Sequence, residues 1–153
     1  MSSTGNPELP PATPEAMGAL LSPAGTSLEE VLDRAVRVAR AIGSPAYPDD
    51  EAAIRVRAKA DYERSFYPVG TARQMAAIAV SGNRRPLLEG VTTPTLVIHG
   101  SDDPLVPLTG GIDTHEGIAD SRLEIFEGMG HDLPEPLWAE IVKLISEHTL
   151  KHD

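Results

Sequence analysis

The segment Thr95-Leu96-Val97-Ile98 constrains the fold of this chain more than any other feature. It is a continuous run rich in β-branched residues, with no polar alternation to face water. Such a run suits a strand buried on both faces, as inside a parallel sheet. A second strand reads at Arg122-Leu123-Glu124-Ile125-Phe126. A helix spans about 108–118 between them, weakened by Gly110 and Gly111. Strand, helix and strand in that order predict a right-handed parallel crossover. No further convincing strand occurs. Two parallel strands alone leave their outer edges unpaired and their faces thinly covered. The sequence therefore predicts that a neighbour for 95–98 comes from elsewhere, from a partner chain or from a longer protein of which this is a part.

Residues 1–13 form an irregular, proline-rich lead, and 14–90 read as helical. Thr13 caps a short helix with Pro14 at its first position. Thr26 and Ser27 each precede a glutamate by three residues (Glu29, Glu30), the spacing of a capping box. The helix they open carries Leu28, Val31, Leu32, Ala35, Val36, Ala39 and Ile42 at helical period and ends at Gly43. Asp49 or Asp50 caps a third helix reaching about Phe66, with a narrow apolar stripe at Ile54, Ala58 and Tyr62. Residues 71–81 are apolar on nearly every side, which predicts a helix buried between other elements. A short helical turn carries Leu87 and Leu88. The α/β part, 91–153, closes with a helix from Pro134 to about Thr149, whose inner face is Trp138, Ile141, Val142 and Ile145.

The 153 residues suit one domain. With 13 Lys plus Arg against 23 Asp plus Glu, the formal net charge is −10, which argues against nucleic acid and anionic membranes as partners. The absence of cysteine excludes disulfides, thiolate catalysis and Cys-ligated zinc. No apolar run approaches the ~20 residues of a membrane span, and the N-terminus does not read as a signal peptide. A cytoplasmic location is expected. No histidine spacing suggests a metal site; His99, His115, His148 and His152 read as structural or solvent-exposed, and no cofactor is implied.

Two constellations carry chemistry. His99-Gly100-Ser101-Asp102-Asp103-Pro104-Leu105-Val106-Pro107 follows the first strand, and Gly128-Met129-Gly130-His131 follows the second. Carboxyl ends of parallel strands are where open α/β sheets place their sites. Asp103 and His131 stand 28 positions apart at the ends of successive strands, so their side chains can converge. A carboxylate bonded to imidazole Nδ1–H fixes the tautomer and leaves Nε2 as a general base. Taken alone, Asp103 before Pro104 reads equally as a turn former, and His131 as a loop histidine. Spacing, order and strand context together favour the paired reading. Asp102, Asp132 and Glu135 read as surface charge.

The sequence here resembles the α/β-hydrolase family, whose nucleophile, acid and histidine follow one another along the chain. G-x-x-D after a strand and G-x-G-H after the next are similar to its acid and histidine motifs. The wording G-S-D-D-P-L-V-P…G-M-G-H-D-L-P resembles the aclacinomycin methylesterase and carboxylesterase subgroup. The resemblance implies that 14–90 is a helical cap and 91–153 the terminal strand–helix–strand–helix part of the core. Residues 1–6 then correspond to the loop leaving the preceding core strand. It further implies that Asp103 is the acid, His131 the base and a small carboxylic ester the substrate.

The sequence departs from the family in having no G-x-S-x-G. Ser2 and Ser3 have no strand before them and no helix directly after. The expected protein is thus the C-terminal half of a serine hydrolase, its nucleophile and N-terminal strands supplied by a missing half or a homo-oligomer partner. Tyr67, Met75, Ile78 and Val106 are candidate substrate-pocket residues, although for the apolar stretch 71–81 ordinary helix packing is the favoured reading. Two further readings stay open. A nucleophilic Asp in the missing half makes a dehalogenase or epoxide hydrolase, and a truncated, non-catalytic module binds a ligand or partner.

Overall fold

Helix caps organise the first half of the chain in the computed structural model, which describes residues 3–152. Ser2 lies outside the described residues. Helix α1, Pro14–Leu20, starts where the Thr13 hydroxyl accepts the Ala16 amide at 3.2 Å. Helix α2, Leu28–Ile42, opens with a complete capping box between Ser27 and Glu30, and ends at Gly43 as expected. Glu30 also accepts from the Thr26 amide at 2.6 Å and the Thr26 hydroxyl at 2.9 Å, so the alternative box on Glu29 is not used. The Thr26 amide, then its hydroxyl and the Ser27 amide, hold the Glu30 carboxyl below its ordinary range.

Helix α3, Glu51–Arg64, stops two residues short of the expected Phe66, and Asp50 occupies its N-cap position without a side-chain cap bond. Arg55 ties α3 to α2, reaching Asp33 at 2.6 Å and Glu51 at 3.2 Å; these partners raise its pKa. Helices α4, Val69–Ser81, and α5, Arg85–Leu88, complete the helical segment.

Strand β1, Thr95–Gly100, is followed by α6, Leu108–Gly117, and β2, Ser121–Phe126. The two strands pair in parallel, from Thr95 opposite Ser121 to Gly100 opposite Phe126. A single 3-10 turn, Glu135–Leu137, leads into α7, Trp138–His152. Phe126, Met129, Leu137 and Ile141 form the core cluster, with Ile98, Tyr47 and Leu144 packed against it. Met129, in the loop that carries His131, is fully buried. Among the described residues no helix is long and apolar enough to cross a membrane.

Burial is where the structure departs from the sequence reading. Residues 95–98 are only half-buried, and full burial is reached only at His99 and Gly100. Helix α4, expected between other elements, buries no residue; Ile78 is 63% exposed and Val80 85%. On α7 only Ile141 of the expected inner face is buried, while Trp138, Val142 and Ile145 stand exposed. For β1 and α7 the cause is the width of the sheet. Neighbouring strands lie ~4.8 Å apart, whereas a helix with side chains is about 10 Å across. Two strands therefore cover only one row of side chains, and the adjoining apolar rows find nothing among the described residues to pack on.

Candidate active site

The site begins with how the backbone leaves β1. The chain turns sharply after Gly100, and the Asp103 carboxylate folds back over it. Its Oδ1 accepts the amides of Leu105 at 2.9 Å and Val106 at 2.8 Å. That loop is tied down from below, where buried His99 donates from Nε2 to the Val106 carbonyl at 2.8 Å. His99 Nε2 also lies 3.9 Å from Asp103 Oδ2. From the N-terminal side, the Thr13 amide donates to the Pro104 carbonyl at 2.8 Å.

His131 arrives from β2 through Gly128-Met129-Gly130. Gly128 adopts φ +71°, a left-handed conformation that side-chain-bearing residues rarely take. The loop is stitched to the acid loop by the Asp102 amide, which donates to the Met129 carbonyl at 3.0 Å. The Gly128 amide likewise donates to Ser101 Oγ at 2.8 Å. These bonds bring His131 Nδ1 to 2.8 Å from Asp103 Oδ2.

The Asp103 side chain is completely buried, and that of His131 is 18% exposed. Burial alone pushes the Asp103 carboxyl up. The His131 hydrogen bond and charge, with the Val106 and Leu105 amides, more than offset this and hold it below the ordinary carboxylate range. An ionised acceptor on Nδ1 fixes that nitrogen as the donor. His131 Nε2 then has no partner among the described residues, and it is free to accept a proton.

The remaining expected residues scatter. Asp102, read as surface charge, is exposed and among the described residues its carboxylate receives only the Ser101 hydroxyl, at 3.2 Å. Tyr67 lines a cleft of about 380 Å³ with Val31, Arg34, Tyr62 and Phe66, and the Arg73 guanidinium lies 5.5 Å from its ring centre. Val106 lines a different cleft, about 340 Å³, together with Ser3, Leu9 and Gly110. Met75 and Ile78 on α4 line neither. The structure does not gather these four into one pocket.

Other groups went unrecognised in the sequence. Asp132, read as surface charge, accepts a hydrogen bond from buried Ser44. Asp113 on α6 holds buried Thr4 and reaches Arg85 at 3.2 Å, which anchors the N-terminal lead beside the sheet. Both pairings join residues far apart in sequence, and no local pattern announces them.

No protein-family model matches the sequence. The structure is similar to an esterase from Rhodococcus sp. ECU1013 (TM-score 0.58, 23% identity), over 86% of this chain and 48% of that one. It is also similar to a meta-cleavage product hydrolase from Pseudomonas fluorescens IP01 (TM-score 0.66, 20% identity), over 91% and 51%. An esterase from Exiguobacterium antarcticum matches over 88% and 47%, with TM-score 0.60 and 23% identity. The chain thus spans about half the length of the solved structures it matches. Its fold is α/β, a helical segment followed by a strand–helix–strand–helix unit, of the kind these hydrolases have over the matched half.

Proposed function

We propose that this chain is the C-terminal part of a serine α/β-hydrolase that cleaves carboxylic esters, with 14–90 as its cap. The observation that carries the reading is the 2.8 Å bond from His131 Nδ1 to the buried Asp103 carboxylate, with Nε2 left unpartnered. In the proposed reaction a serine from the other half of the fold attacks the ester carbonyl. His131 Nε2 takes the serine proton as the tetrahedral intermediate forms, then delivers it to the departing alkoxide. Water repeats the cycle on the acyl-enzyme. Asp103 stays ionised throughout and keeps imidazolium favourable. The likeness to esterases supports the substrate class.

The test is reconstitution. The chain is fused to or co-expressed with the N-terminal half of a related esterase carrying G-x-S-x-G, and ester hydrolysis is followed. Activity is expected, with His131→Ala losing nearly all of it. Asp103→Asn is expected to lose about 10⁴ in kcat through the wrong tautomer, and Asp102→Asn to stay near the parent. An active reconstituted protein whose Asp103→Asn variant is unimpaired overturns the assignment.

A further inference from the structure

The His131 loop is held on one side by Asp103 and on the other by the C-terminal end of α2. Four contacts make the second attachment. The His131 amide donates to the Ile42 carbonyl at 2.7 Å, and the Ala46 amide donates to the Gly128 carbonyl at 3.2 Å. Buried Ser44 accepts the Gly130 amide on its Oγ at 2.9 Å, and the same hydroxyl donates to Asp132 Oδ1. Backbone meets backbone here, because a Cβ on Gly130 would collide with the carbonyls of Gly43 and Ile42. Ser44 therefore grips the residue before His131 and the residue after it.

We infer that Ser44, acting with Asp132, is a positioning residue for His131, and that the end of α2 belongs to the framework of the base rather than to a freely moving lid. The inference rests on the Asp103–His131 reading above and adds to it. One bond to Asp103 fixes where Nδ1 points only if the backbone at 131 is itself fixed. Asp103 is anchored by its own loop amides, so the free variable is the His131 loop. Among the described residues, Ser44 is the one side chain that bonds both flanks of His131.

The experiment is nitrogen NMR of the full chain labelled with [15N]histidine, at a pH where the imidazole is neutral, with His131 assigned through His131→Gln. Wild type is expected to show a protonated Nδ1 and a bare Nε2 on His131, and Asp103→Ala to abolish that separation. Ser44→Ala and Asp132→Ala are expected to move both nitrogens toward a tautomer-averaged position. Asp132→Asn, which keeps an acceptor oxygen for Ser44 and removes only the charge, is expected to retain the wild-type pattern. Should Ser44→Ala fail to fold, the Asp132 pair decides. A fixed tautomer in both Ser44→Ala and Asp132→Ala overturns the inference while leaving the Asp103 pairing standing. An averaged His131 already in wild type overturns the pairing and the inference with it.

Discussion

Asp103 keeps its charge in a place that would ordinarily discourage one. Its side chain has no exposed surface, yet His131 and two loop amides hold its pKa below the usual carboxylate value. A carboxyl whose folded pKa lies below its unfolded value of ~3.9 stabilises the fold above that value. The contribution is lost as pH falls through the lower, folded pKa. Asp103→Asn keeps an oxygen for the Leu105 and Val106 amides but presents an NH₂ toward His131, and is expected to cost about 2 kcal/mol at neutral pH. Urea unfolding of both proteins from pH 7 down to pH 2 checks this. The gap between them should narrow below pH 4, and a gap independent of pH would contradict the ionised, buried acid. Asp103 and His131 were legible because each follows a strand end and only the intervening crossover separates them. Ser44 was not, because Gly-Ser-Pro reads locally as a turn and its partners lie more than 80 positions away.

Helices repeat the same division between local and distant causes. The start of α2 is readable from the four consecutive residues Ser27 to Glu30, since a cap bonds its own first turn. Ser27→Ala removes the acceptor of the Glu30 amide and is expected to destabilise the chain by about 1 kcal/mol, measured by thermal unfolding against wild type; an unchanged midpoint would deny the cap any energetic role. Helix α4 is the opposite case. Its apolar circumference states a need for cover, and the sequence reading took that need as met. In the structure Val69, Ile78 and Val80 face outward instead. Periodicity reports what a segment wants beside it, never whether the same chain provides it. The exposed Trp138, Val142 and Ile145 of α7 carry the same lesson.

At the scale of the molecule, a two-stranded parallel sheet with apolar helical surface left open is an incomplete solvent barrier. The chain alone is expected to associate. Sedimentation velocity across a concentration series should show the average mass rising, and an apolar dye should bind. A monomer at every concentration, with no dye binding and one sharp unfolding transition, would mean the open surfaces are tolerated. The loops that carry Asp103 and His131 both leave the carboxyl ends of the strands, so the candidate site lies at one end of the sheet. That gives the unpaired edge of β1 a polarity with a consequence of its own. A second copy meeting that edge across a two-fold axis pairs antiparallel, and it sets the two Asp103–His131 pairs at opposite ends of one continuous sheet. A foreign strand running parallel to β1 delivers its own carboxyl end beside them. The same edge thus sorts its visitors by direction. Self-pairing separates the two sites, whereas a strand running parallel to β1 brings its own carboxyl end to the end of the sheet where His131 lies.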